Sequence, residues 1–483
     1  MTPVVPAPMA KQPMAKQGAV SSAVPSDGAD LISGLSDDLL LHVLGFLPAA
    51  TGCRDMVRTS ALSRRWRHLW KRVPALRFAS GEDVAPADGR RFNAVVGAVL
   101  GRRLDAGAGA RVEALEISTA YWPGRVLVDA WLRLAAAHVA GTFALVVAPP
   151  PPHPGRDQQL LGELPATTSA AALRLSLGHA TLQLPAAAAF RELAELSLFN
   201  VALAPGQGGR LGALLSSPCC PRLRRVSLEV LSGLPELRLE AAGALESLEL
   251  AFLLDLRRLH VDAGALRVLR IRGCFAWTEE AARAGSVAIV RAPALVELAC
   301  PRTRGTELLE LGGGCPRVRR LGPVCIRSHL LPWCDPGEND FAVELLRRCT
   351  AAHRLHVCLE VPPRDLLYLE EDVMAEIPDL SHVTDLTVEV SSPGCHAFGA
   401  SVANLLARCI NLRRLRVDIV DAMEFRRKPP CLREHCACDA PSSWRDERMA
   451  LPHLREAAFV GFAACYHLAP LLLAGAPGLD RRR

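Results

Sequence analysis

Between Leu35 and Trp70, large apolar side chains recur at helical spacing. Leu39, Leu40, Val43, Leu44 and Leu47 follow Ser36 and Asp37 and run up to Pro48. Ser36 and Asp37 stand where an N-cap and a first-turn acid belong, and Pro48 stops the helix. A second helical face carries Leu62, Trp66, Leu69 and Trp70, with Ser63 as its cap. The pattern predicts two or three short helices. About 40 residues cannot hide that many large side chains among themselves, because small domains bury too little of their own surface. Two arrangements would absorb the surplus: an ordinary helical hairpin packed on the rest of the chain, or a module buried by a partner.

Further along the period changes. From about Phe92 to Val147 helical patterns alternate with short apolar strands, such as Leu115-Glu-Ile117 and Phe143-Ala-Leu-Val-Val147. Beyond Leu164 the chain repeats itself. Cys220-Pro-Arg-Leu-Arg-Arg-Val-Ser-Leu228, Cys315-Pro-Arg-Val-Arg-Arg-Leu321 and Cys409-Ile-Asn-Leu-Arg-Arg-Leu-Arg-Val417 align without gaps, and looser copies begin at Phe190, Ala244, Ala265 and Val383. The shared Leu-x-x-Leu-x-Leu, recurring every 20–30 residues or so, marks leucine-rich repeats. Each Leu-x-Leu is expected to form a strand with both leucines turned into the stack. No repeat can bury its leucines alone, so the coils stack into a curved solenoid. The fold class is α/β: a short all-α N-terminal segment followed by a leucine-rich-repeat horseshoe. Cys220, Cys315, Cys349 and Cys409 each precede a strand residue by the same interval, which makes them small buried hydrophobes of the repeat. The side chain between each leucine pair should point out on the concave face, since strand residues alternate sides. These positions are Ser197, Ser227, Arg238, Glu249, His260, Arg270, His356, Thr387 and Arg416, and their mixed chemistry suits a polar peptide or protein surface.

The stretch Asp30-Leu-Ile-Ser-Gly-Leu-Ser-Asp-Asp-Leu-Leu, with Arg58-Thr-Ser-Ala-Leu-Ser-Arg-Arg-Trp-Arg-His-Leu-Trp70 and Val73-Pro-Ala-Leu-Arg-Phe78, resembles the F-box of plant F-box proteins, in particular the group with leucine-rich repeats and a C-terminal FBD segment. It departs from the family's usual opening in having Ser36 where a proline is common. Trp444-Arg-Asp-Glu447, Leu451-Pro-His-Leu-Arg-Glu-Ala-Ala-Phe-Val-Gly-Phe462 and Leu468–Leu479 resemble the FBD segment, read as one more strand and helix over the open end of the solenoid. The resemblance implies a chain divided into a disordered tail at 1–29, an F-box at 30–78, an irregular solenoid at 79–425 with a Pro-rich loop at 149–155, and an FBD-like cap at 426–483. It implies that Leu35, Leu39, Leu40, Val43, Leu44 and Val57 face a Skp-type adaptor or the small core beneath it, with Trp66 and Trp70 anchoring the last helix. The function implied is that of a substrate-recognition subunit of a Skp–cullin–F-box ubiquitin ligase, non-catalytic, with the target held by the repeats. A repeat-based scaffold outside any ligase is the alternative.

Composition narrows the field further. A net charge of +6 over 483 residues does not argue for nucleic acid, and no apolar run reaches the length of a membrane span. The N-terminus has no basic region followed by an apolar one, so 16 cysteines are read as reduced thiols, and the expected location is the nucleus, the cytoplasm or both. Phosphate-binding loops, nucleophile elbows and His-Glu-x-x-His are absent, and no cofactor is expected. Cys431, His435, Cys436 and Cys438 have thiolate and imidazole chemistry suited to zinc, but their spacing is too tight for the usual paired knuckles, so no metal site is assigned. Lysine occurs only at Lys11, Lys16, Lys71 and Lys428.

Overall fold

The computed structural model describes residues 32, 34–47, 52–80, 86–104, 111–149, 160–253, 255–275, 286–300, 306–311, 315–327, 339–361, 373–392, 395–420, 450–461, 472 and 474–479. The N-terminal tail, most of the Pro-rich loop and the Cys431–Cys438 cluster lie outside the described residues.

The chain opens with helices α1 (Asp37–Gly45), α2 (Gly52–Arg58) and α3 (Trp66–Leu69). Ser36 caps α1, its Oγ accepting from the Leu39 N–H at 3.4 Å. Asp37 and Asp38 add negative charge to the first turn, where the exposed N–H groups favour it. A 3-10 turn at Trp70–Arg72 then leads straight into strand β1 (Ala75–Ala79). Although 75–78 reads as the end of the F-box pattern, β1 is the first strand of the solenoid sheet. The buried Arg103 guanidinium donates to the Val73 carbonyl at 3.3 Å and helps fix this junction.

Next come α4 (Pro86–Leu104), β2 (Val112–Thr119), α5 (Arg125–His138) and β3 (Val139–Val147), the alternation anticipated from Phe92 to Val147. Helix α5 buries Val128, Trp131, Leu132 and Ala135, one stripe at helical spacing. Strands β4 (Leu160–Glu163), β5 (Ala172–Gln183) and β6 (Glu195–Leu203) precede α6 (Gly208–Leu214). A run of strands follows: β7 (Arg225–Ser232), β8 (Glu236–Leu239), β9 (Ser247–Ala251), β10 (Arg258–Asp262) and β11 (Val268–Arg272). It continues through β12 (Ser286–Arg291), β13 (Glu297–Ala299), β14 (Thr306–Leu311) and β15 (Arg320–Arg327). The last coils hold α7 (Asp340–Arg348), β16 (Arg354–Glu360), β17 (Asp385–Ser391), α8 (Gly399–Ala407), β18 (Arg414–Ile419) and β19 (Glu456–Val460).

The strands build two parallel sheets. The main one runs β1-β2-β3-β5-β6-β7-β9-β11-β13-β15-β16-β17-β18-β19, with β4 paired on β5, and among the described residues it does not close on itself. The second is β14-β12-β10-β8. The short coils between Arg225 and Leu311 therefore return through a strand, whereas longer coils have room for α6, α7 or α8 on the way back. Strict register stacks like on like inside: Leu196, Val226, Leu248, Leu269 and Leu298 are successive partners, as are Leu321, Leu355, Leu386 and Leu415. All nine are buried, so each coil completes its neighbour's core.

The repeat cysteines sit where the sequence placed them. Cys220, Cys315, Cys349 and Cys409 are buried, and each carbonyl accepts from the N–H three residues on, at 3.2, 3.2, 3.0 and 3.1 Å. This turn delivers the chain into the next strand. Burial pushes the Cys220 and Cys409 thiols up to about 12, which removes them from thiolate chemistry.

Candidate functional site

Helix α1 carries two apolar stripes, and the fold uses only one. Leu40 and Leu44 are buried with Trp66, Leu69 and Trp70 in the interior of the N-terminal segment. Leu39 and Val43 are half exposed, and Phe46 is 75% exposed. Their spacing of four and then three residues puts these last three on one face of the helix. Leu62, in the turn before α3, is 68% exposed and Ile32 is exposed beside the helix start. Phe46 also stacks edge-to-face on His42 at 4.8 Å. Leu35 and Val57 are partly buried against the core. Of the eight residues expected to serve adaptor binding, Leu40, Leu44, Trp66 and Trp70 thus belong to the protein's own core, and Leu39 and Val43 are open to a partner. Phe46 and Leu62 were missed because apolar periodicity alone does not say which stripe is spare.

Two guanidinium groups hold this helix in place. Arg65 Nε reaches Asp37 Oδ1 at 2.8 Å and Arg72 Nη1 reaches Oδ2 at 3.0 Å. The hydrogen bond from Arg65, reinforced by Arg72, holds the Asp37 carboxyl below the usual carboxylate range.

The concave face of the main sheet presents a polar row. Arg77, Glu116, Ala144, Arg174, Ser197, Ser227, Glu249, Arg270 and Ala299 are successive strand partners, and His356, Thr387, Arg416 and Ala458 continue the row from β16 to β19. Ser197, Ser227, Glu249, Arg270, His356, Thr387 and Arg416 therefore stand together as expected from their place between inward leucines. Arg238 and His260 do not. They lie on β8 and β10 of the second sheet, where Arg238 and His260 are register partners. Leu237-Arg-Leu239 and Leu259-His-Val261 have the same local pattern as the main strands, and only the path of each coil decides which sheet they join.

Two residues earlier on each strand, on the same face, lies a second, charged row that pattern reading passed over. Glu195 receives Arg174 at 2.8 Å and Arg225 at 2.9 Å. Burial opposes ionisation there, but the hydrogen bonds from Arg225 and Arg174 prevail and keep the Glu195 carboxyl below its ordinary range. Arg270 bridges Glu249 and Glu297, Arg320 joins Glu297, and Arg414 joins Asp385. Glu297, Arg320, Arg354, His356, Asp385, Thr387 and Arg414 surround a shallow depression floored by Gly322. Gly322 adopts φ +117, and a Cβ there would overlap the His356 carbonyl, so only glycine leaves this floor open. The register slips between Leu321 and Val324 at the same point.

Beside this depression the fold assembles donors from separate coils. The ligand atoms of His356, Cys358 and Glu389 all lie within 4.8 Å of one another. Nothing in the sequence marks this group, because Glu389 is a full coil away from His356 and Cys358.

Among the described residues no helix is long and apolar enough to cross a membrane. Residues 32–78 match the F-box domain family, and residues 128–319 match the leucine-rich repeats of the FBD-associated F-box protein At5g56370 family. The F-box/LRR-repeat protein 25 of Arabidopsis thaliana is 25% identical over 250 residues, 50% of this chain and 86% of the relative. The putative F-box/LRR-repeat protein At5g02700 of Arabidopsis thaliana is 50% identical over 50 residues, and F-box/LRR-repeat protein 13 of the same plant is 48% identical over 68. These two matches span 10% and 14% of this chain, and 10% and 13% of the respective relatives. Over the first of these relatives the chain spans about a tenth of its length. The helices, the parallel repeats and both family matches agree that the chain carries an F-box and leucine-rich repeats and is similar to the plant F-box/leucine-rich-repeat proteins.

Proposed function

We propose that this protein is the substrate-recognition subunit of a Skp–cullin–F-box ubiquitin ligase, working in the nucleus, the cytoplasm or both. The observation that carries this reading is the unused stripe of α1. Leu39, Val43 and Phe46 leave apolar surface in water on a helix whose opposite stripe already anchors it to the chain. Such an exposed apolar surface suits a partner protein. The concave rows, polar and studded with Arg–Glu and Arg–Asp pairs, offer charge complementarity to a polar target rather than a pocket for an apolar one. The transfer chemistry belongs to other subunits; this chain contributes proximity, holding a target lysine near the loaded conjugating enzyme. Co-purification of a Skp-type adaptor with the wild-type chain, and its loss in a Leu39→Ala, Phe46→Ala double variant that keeps its helical signal, is the expected result. A chain that never captures an adaptor yet retains protein partners through its concave face would be a scaffold instead.

A further inference from the structure

We propose that Cys325, His356, Cys358 and Glu389 form a zinc site on the concave face that rivets three consecutive coils together. The four residues sit on adjacent strands and point the same way. On β15 the residues turned inward are Leu321, Val324 and Ile326, on β16 Leu355, Val357 and Leu359, and on β17 Leu386, Val388 and Val390. Cys325, His356, Cys358 and Glu389 are the residues between them. Cys325 is the register partner of Cys358, and Cys358 of Glu389, so three donors form a line across the sheet. Neighbouring strands lie about 4.8 Å apart, a spacing that side chains can close onto one ion. His356 comes two residues before Cys358 and approaches from the same face of the same strand.

The spacing of the His356, Cys358 and Glu389 donors fits three corners of a tetrahedral ion. Zinc bonds to thiolate at about 2.3 Å and to imidazole or carboxylate at about 2.0–2.2 Å, which sets donors about 3.3–3.8 Å from one another. His356 Nε2 lies 3.4 Å from Glu389 Oε2, and Cys358 Sγ lies 3.8 Å from the same oxygen. The Cys325 thiol is hydrogen-bonded to Cys358 on the side away from Glu389 and stands outside the three-residue group, so it has to close in as the ion binds to supply the fourth donor. Two thiols, one imidazole and one carboxylate suit a borderline-soft divalent ion better than magnesium or calcium, which take oxygen. Binding converts both thiols to thiolates and releases two protons, so affinity rises with pH. A closed site with four protein ligands is structural. It would stiffen the strands that border the Gly322 depression, where the ladder slips and is least regular.

The test uses the purified full chain, reduced and stripped of metal, titrated with cobalt(II) and then with zinc in competition. The expected result is one equivalent of cobalt with the visible bands of a tetrahedral thiolate complex, displaced by zinc. Cys358→Ser and Cys325→Ser should each abolish those bands, and Glu389→Gln should weaken binding at least about 10-fold. Cys436→Ser should leave them unchanged. Circular dichroism identical to wild type shows that each variant folds. A tetrahedral signal that survives Cys358→Ser and disappears in Cys436→Ser would overturn the proposal. So would wild-type protein that binds no cobalt at neutral pH, or a Cys325–Cys358 disulfide recovered from protein prepared in reductant.

Discussion

The Asp37 carboxylate and the Arg65 guanidinium, 28 residues apart, meet at 2.8 Å and tie the first turn of α1 to the start of α3. Because the Arg65 hydrogen bond lowers the Asp37 pKa from 3.8, folding gains from its ionised form. That gain is fully present above 3.8 and is lost as the pH falls through the lower folded value. Asp37→Asn should therefore destabilise the chain at neutral pH and make no difference in strong acid. Urea unfolding of both proteins across that range checks it; a difference that persists in acid would contradict the ionic account.

The two stripes of α1 should separate by substitution. Leu40→Ala opens a cavity in a fully buried site and should cost about 2–5 kcal/mol of stability. Leu39→Ala and Phe46→Ala should leave the melting temperature nearly unchanged while each weakens adaptor capture by more than about 1 kcal/mol. Differential scanning fluorimetry paired with a binding titration reads both quantities on the same samples.

Arg270 and Arg238 offer a contrast within one residue type. Arg270 bridges Glu249 and Glu297 on the main sheet, while Arg238 pairs with Glu236 on the second. Exposed ion pairs contribute about 0–1 kcal/mol, so Arg270→Glu should fold normally. Target capture should fall sharply with Arg270→Glu and stay at the wild-type level with Arg238→Glu. Equal loss from both would place the target elsewhere.

Gly322→Ala should destabilise by more than about 1 kcal/mol, since the positive φ and the His356 carbonyl both oppose a side chain. Thermal unfolding would show it, and Gly243→Ala, whose added methyl meets only the Ser217 hydroxyl at 3.8 Å, serves as the reference.

Within an assembled ligase, self-modification should concentrate at Lys11 and Lys16. Only four lysines are available in the whole chain, and arginine cannot accept ubiquitin. Lys71 follows α3 with its Nζ 5.9 Å from the Trp70 ring centroid, close to the docking helices. Mass spectrometry of the assembled complex decides the matter: heavy modification at Lys71 with none at Lys11 or Lys16 would refute it.

Local chemistry was enough to place Ser36 as a cap, Leu196 and Leu198 as inward strand residues, and Cys220 and Cys409 as buried members of a repeated turn. Each of these depends on neighbours only a few residues away, so helical or two-residue periodicity reveals it. Three matters were decided by tertiary structure alone. Leu39 and Leu40 have the same local pattern, and only the docking of α1 on α3 made one core and left the other on the surface. Arg238 and Arg270 sit in the same motif, and only their places along the coil, one on the returning strand and one on the main-sheet strand, put them on different sheets. Cys325, Cys358 and Glu389 became neighbours because parallel coils stack in register, converting an interval of one whole repeat into about 4.8 Å. The sequence by itself determined the period of the solenoid; the stacking of its coils decided which side chains meet on its surface.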